Sequence, residues 1–117
     1  MIETRDKVYK IYRILDEKKA SDIKILYIGE LTTIADYFII ATGTSSTHVQ
    51  ALADEVEKKL GEEGVLVDHV EKDFASEWIL MDYEDVIVHI FQPETREFYS
   101  LERLWADAKE IVLDNRP

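Results

Sequence analysis

Between Trp78 and Phe91 the chain reads WILMDYEDVIVHIF. Two runs of apolar and β-branched residues flank a bend that holds three acids, Asp82, Glu84 and Asp85. Runs this short, this rich in strand formers and this close together predict an antiparallel hairpin over Trp78–Asp82 and Asp85–Phe91. Because side chains alternate along a strand, Trp78 and Leu80 share one face and Ile79 and Met81 the other. One face packs on helices; the other needs a different cover. A chain containing this hairpin is committed to a layered fold.

The remaining segments supply the layers. From Glu3 to Lys18, Val8, Ile11, Tyr12 and Leu15 recur at helical spacing. DIKILYIG, Asp22–Gly29, reads as a strand with apolar residues on both faces, and YFIIATG, Tyr37–Gly43, as a fully buried one. Thr44, Ser45 and Ser46 are candidate N-caps for a helix whose stripe is Val49, Leu52, Ala53, Val56 and Leu60. VLVDHV, Val65–Val70, alternates as a further strand, and KDFASE is a loop. Pro93 ends the sheet, and Leu101, Leu104, Trp105, Ala108 and Val112 predict a closing amphipathic helix before a polar tail at about 113–117. The sum is a single α/β domain over residues 1–117, a mixed sheet of about five strands flanked by helices. No repeat or linker divides it, and no glycine fingerprint for a dinucleotide follows the first strand.

Charge narrows the function. The formal net charge is -11, and residues 68–85 hold seven acids against one base, Lys72. Such a surface disfavours nucleic acid and anionic membranes and steers the protein toward basic partners. There is no cysteine, which removes disulfide and thiolate chemistry and is compatible with a reducing compartment. No apolar run approaches the ~20 residues of a membrane span. MIETRDKVYK lacks an apolar core, so no signal peptide is expected.

Four features could carry chemistry or recognition. Gly43-Thr44-Ser45-Ser46 stands at a strand-to-helix junction, where free N–H groups can cradle a phosphate or simply be capped. It lacks the lysine of a P-loop, and no D-x-D pair for divalent metal follows on a strand. Asp82 and Asp85 could ligate a hard cation, but acids at a bend also serve as turn formers. His48, His69 and His89 match no zinc spacing; His89 is expected as a packed, hydrogen-bonded residue on the face of Ile87 and Phe91. Trp78, beside the acidic loop, is the best candidate for a protein-interface anchor.

Taken together, two blocks resemble the ribosomal silencing factor, or Iojap, family. ADYFIIATGTSSTHVQALADEV, Ala35–Val56, is similar to its first signature and WILMDYEDVIVHIFQPETREFYSLERLW, Trp78–Trp105, to its second; the likeness runs from about Lys7 to Ala108. The resemblance implies a domain similar to the nucleotidyltransferase palm without its catalytic acids: a non-enzyme with no catalytic residue, metal or cofactor. It implies a cytoplasmic homodimer that binds the large ribosomal subunit through ribosomal protein fourteen. Docked there, it blocks the small subunit and represses translation, with no membrane and no sequence-specific nucleic-acid contact. Carried over residue by residue, the partner-binding positions are Trp78, Ile79, Leu80, Asp82 and Asp85. Tyr99 and Trp105 match structural positions of the closing motif. Gly43, Thr44, Ser45 and His48 match a polar site, either surface or structural. The sequence departs from the family where Glu84 replaces the glycine of a DYGD turn, and where Ser76 and Glu77 stand before Trp78 in place of a common glycine. Two other readings of the residues are a metal-dependent nucleotidyltransferase-like enzyme using Gly43, Ser45 and nearby acids, and a dimeric adaptor for a different protein.

Overall fold

A computed structural model describes residues 3–73 and 75–113 of the protein. Its elements are α1 (Thr4–Glu17), β1 (Ser21–Tyr27), β2 (Tyr37–Thr42), α2 (Ser46–Glu62), β3 (His69–Lys72), β4 (Trp78–Asp82), β5 (Val86–Phe91), α3 (Pro93–Tyr99), α4 (Leu101–Leu104) and β6 (Lys109–Ile111). The strands form one mixed sheet in the order β3-β4-β5-β2-β1-β6. The central pair, β2 and β5, is parallel, with Tyr37 opposite Val86 and Thr42 opposite Phe91. Every other pairing is antiparallel.

The two faces are covered differently. On one, α1 and α2 lay Val8, Ile11, Leu15, Val49, Leu52, Val56 and Leu60 over Ile25, Ile39, Ile79, Met81, Val88 and Ile90. Most of these side chains are fully buried; each contributes about 1.5–3 kcal/mol through removal from water. On the other face a second cluster joins Leu26, Phe38, Ile40, Ile87 and Phe91, with Trp78, Leu80, Leu101 and Trp105 packed partly against it. Here the cover is thinner: the 28–36 connection, α3, α4 and the turn after them lie over β2 and β5. Among the described residues, the helical cover of the β3–β4 end of this face is limited to α3, whose Tyr99 meets Trp78.

Three sequence expectations are corrected. The sheet has six strands rather than five. The closing helix expected through Val112 is broken: α3 ends at Ser100, which adopts a left-handed φ of 49°, α4 is one turn, and residues 109–111 pair with β1 as β6. Leu104 and Val112, which helical spacing assigned to an apolar stripe, are 74% and 84% exposed. The unpaired edge of β1 captures this segment, a demand that local periodicity does not register. Finally, β3 lies at His69–Lys72 rather than Val65–Val70, and all four of its residues are exposed. Val65 and Val67 instead pack on the core from the preceding loop.

The hairpin bend is tight. The Asp85 N–H donates to the Tyr83 carbonyl at 3.0 Å, across Glu84 at φ 74°. An i→i+2 bond around a positive φ is a strained γ-turn. The Asp82 carboxylate accepts from the Glu84 N–H at 2.7 Å, so this acid shapes the bend. A side chain at such a φ costs about 1 kcal/mol, which glycine avoids. Glu84→Gly is therefore expected to raise stability by about 1 kcal/mol, read as a higher denaturant midpoint at unchanged slope.

Candidate functional site

The open end of the sheet is built by β3 and β4. Their register places Glu71 opposite Leu80 and His69 opposite Asp82. Opposed residues share a face, so His69, Glu71, Leu80, Asp82 and Trp78 all project away from the helices. An acidic column on the edge strand thus runs beside an apolar column on its neighbour. Ile79 and Met81 point the other way and are fully buried. Ile79, expected at the partner surface, is a core residue.

Trp78 is half-buried, and its orientation is fixed from several sides. The indole stacks on Phe91 with centroids 5.0 Å apart at 27° and meets Tyr99 at 4.7 Å. Its Nε1–H donates to His89 Nδ1 at 3.2 Å. The strand itself is aimed by Asp73, whose Oδ1 accepts from the Glu77 and Trp78 N–H groups at 2.7 and 3.1 Å. Ser76, at φ 54°, takes the left-handed conformation that the expected glycine would have supplied. The indole forms a ridge between two depressions. One, of about 260 Å³, is lined by Glu71, Lys72, Asp73 and Leu80; the other, of about 370 Å³, opens toward α3.

The ring pair behind Trp78 has a defined protonation. His89 Nδ1 accepts, so the neutral ring carries its proton on Nε2. That nitrogen is buried without a hydrogen-bond partner among the described residues. The ring packs edge-on against Phe38, centroids 4.7 Å apart. Burial pushes the His89 pKa down to about 4.

The turn acids play structural parts. Asp85 accepts from Thr4 Oγ1 and from Lys7 Nζ, the latter at 2.6 Å. Burial would raise its pKa, but these two hydrogen bonds and the Lys7 charge outweigh it and hold the carboxyl below its ordinary value. Asp85, expected to touch a partner, ties α1 to the hairpin. Lys7 also donates to the Tyr83 carbonyl. The Tyr83 ring is buried, and its hydroxyl has no hydrogen-bond partner among the described residues. Desolvation and the charge of Glu57 raise its pKa.

The Gly43–Ser46 junction is likewise closed on itself. Ser45 is the N-cap of α2 and accepts from the His48 N–H at 3.1 Å. His48 sits at the third helical position. The Thr44 N–H donates to His48 Nδ1 at 2.9 Å, so His48 Nε2 carries the proton and donates to the Lys18 carbonyl at 2.9 Å. This reciprocal cap ties the start of α2 to the end of α1. Gly43 is required by close approach: a Cβ there would lie 2.9 Å from Val49 Cγ2. The Gly43, Thr44 and His48 N–H groups, which could have helped to cradle a phosphate, are spent on the Phe91 carbonyl, the His48 ring and the Ser45 hydroxyl. Among the described residues no group of three or more His, Asp or Glu side chains converges to hold a metal.

Sequence reasoning missed Arg96. It is 8% exposed and donates Nη1 to Thr42 Oγ1 at 2.7 Å. Nε and Nη2 both reach Glu102 Oε2 at 3.0 Å. This clamp seats α3 and α4 on the end of β2, and so places Tyr99 against Trp78. The one local signal was an arginine and a glutamate six residues apart across a helix break.

The sequence model of a family described as "Ribosomal silencing factor during starvation" matches residues 1–117. The chain belongs to that ribosomal silencing factor family. The Bacillus subtilis (strain 168) ribosomal silencing factor is 40% identical over 99 residues, covering 85% of this chain and 84% of that one. The chloroplastic Iojap protein of Zea mays is 34% identical over 97 residues, 83% of this chain and 42% of its own longer one. A crystal structure of a Chromobacterium violaceum protein shares the fold at a TM-score of 0.87 and 33% identity, covering 98% of this chain and 95% of that one. Membership in the silencing factors makes this a regulatory domain in class. None of its described helices is long and apolar enough to cross a membrane.

Proposed function

We propose that this silencing factor domain docks the Trp78 face of its sheet on ribosomal protein fourteen of the large ribosomal subunit. Bound there, its body blocks the approach of the small subunit and translation is repressed, with no bond made or broken. The observation that carries this reading is a half-buried indole, locked in one orientation on an uncovered sheet end and bordered by acids. Trp78 and Leu80 supply the apolar contact. Asp82 and the exposed acids of the β3 edge supply charge complementary to a basic ribosomal protein. Ile79 and Asp85 act from behind, one in the core and the other through the Lys7 pair. Family membership supports the ribosome as the target.

Sedimentation with separated subunits tests the reading. The full chain is expected to travel with large subunits and not with small ones; travel with neither, or equally with both, overturns it. If the acidic edge steers encounter, association slows as salt rises from about 0.01 to 0.15 M and the screening length falls from about 30 to 8 Å. An association rate that ignores salt removes that role.

A further inference from the structure

The depression on the α3 side of Trp78 has a composition of its own. Its walls carry Asp73, Glu77 and Glu94, its floor Trp78, Phe98 and Tyr99, and among the described residues no lysine or arginine lines it. Phe98 is 80% exposed and Tyr99 49% exposed, although both are large rings on a small domain. They meet edge to face at 5.1 Å, and Tyr99 in turn leans on the indole. The carboxylates of Glu77 and Glu94 have no partner among the described residues. Of the bases near these residues in sequence, Lys72 shares the opposite strand face with Ile79 and donates to Gln50 on α2 at 3.0 Å, and Arg96 is engaged by Thr42 and Glu102.

The walls are also fixed relative to each other. The Gln92 N–H, at the start of α3, donates to the Glu77 carbonyl at 2.9 Å. Arg96, one turn further, is clamped beneath by Thr42 and Glu102. The groove is therefore preorganised, which spares an incoming group the cost of assembling it.

We propose that this groove receives an arginine side chain of a protein partner. A guanidinium is planar and weakly hydrated. It stacks on aromatic faces and gives forked hydrogen bonds to carboxylates, whereas an ammonium is a compact, strongly hydrated charge. The aromatic floor and the acidic rim match both halves of that chemistry. The volume of about 370 Å³ accommodates one such side chain and not a folded element. The proposal deepens the docking reading by naming the side chain the partner inserts beside Trp78, but the groove's chemistry can be read without a ribosome.

The test uses the full chain labelled with ¹⁵N. The indole N–H resonance of Trp78, identified by its loss in Trp78→Phe, is followed while the blocked tripeptide Gly-Arg-Gly is added. The same peptide with citrulline is the uncharged isostere. A saturable shift with arginine and none with citrulline is expected. Glu77→Gln/Glu94→Gln, which removes two exposed, unpaired charges and leaves the core intact, is expected to weaken the arginine response about tenfold. Equal responses to both peptides, no response to arginine, or an unchanged response in the double variant each overturn the groove. An arginine response that persists in a chain failing to sediment with large subunits overturns the ribosomal reading alone.

Discussion

Trp78→Ala is expected to cost this domain at least about 2 kcal/mol of its affinity for the large subunit, a loss of about thirtyfold. The indole is the largest side chain on the uncovered sheet end, and it is already held in one orientation by Phe91, Tyr99 and His89. A rigid ring surrenders little conformational freedom on binding, so most of its burial would count toward affinity. The same substitution also strips packing from Phe91 and leaves His89 Nδ1 without its donor, so part of any loss could come from the fold. Trp78→Phe separates the two effects. It keeps a ring on Phe91 and deletes the indole N–H. Binding is measured by sedimentation with large subunits, at a temperature where circular dichroism shows each variant folded. Equal retention of wild type and Trp78→Ala would remove Trp78 from the interface.

A second large effect is expected from acid. The His89 ring is 4% exposed, and its pKa in the folded protein is about 4, against 6.5 for an ordinary histidine. Between those values the unfolded chain holds a proton that the folded chain refuses. Stability therefore falls as pH drops from 6.5 toward 4, then levels off once both states are protonated. The full loss is at most about 3 kcal/mol. The rings against His89 are those of Trp78, Phe38 and Phe91, none of which titrates in this window. Asp85 acts in the same direction but lower: its stabilisation is complete above the ordinary carboxylate value of 3.8 and is lost as pH falls through its depressed one. Urea midpoints of wild type and His89→Leu, measured at several pH values between 7 and 4, isolate the histidine. The variant is expected to lack most of the slope; parallel curves would show that His89 is not its source. A protonated ring also cannot accept from the indole, so acid is expected to loosen Trp78 before the domain unfolds.

The parts of this fold governed by local pattern were legible. α1 and α2 follow from Val8, Ile11 and Leu15 and from Val49, Leu52 and Val56, and both stripes are buried. β2 and β5 were evident because a run such as FIIA has no exposed face to offer. The alternation at Trp78–Met81 correctly divided the hairpin's two faces. Elements that depend on distant partners were not legible. Lys109–Ile111 is a strand because β1, far earlier in the chain, has a free edge, and its own residues do not require it. Asp85 read as a surface acid until Lys7 came to meet it from α1. His48 read as one of several polar residues at a junction; its two ring bonds require both Thr44 and the end of α1. The Trp78–His89 pair lay in plain view, but its hydrogen bond depends on strand register, which sequence does not print.

The parallel pairing of β2 with β5 has a consequence for how the molecule is made. Val86 is the first residue able to line up with Tyr37, and Phe91 the last to reach Thr42. A nascent chain that has emerged only through β4 therefore has a middle strand with one raw edge, and Lys7 has no carboxylate to seize. Such pairing across a long separation closes slowly, since chain entropy must be surrendered before the contacts return it. Assembly is thus gated by one late stretch of six residues, and truncation before Val86 should yield a product that collapses without ever setting its strands in order.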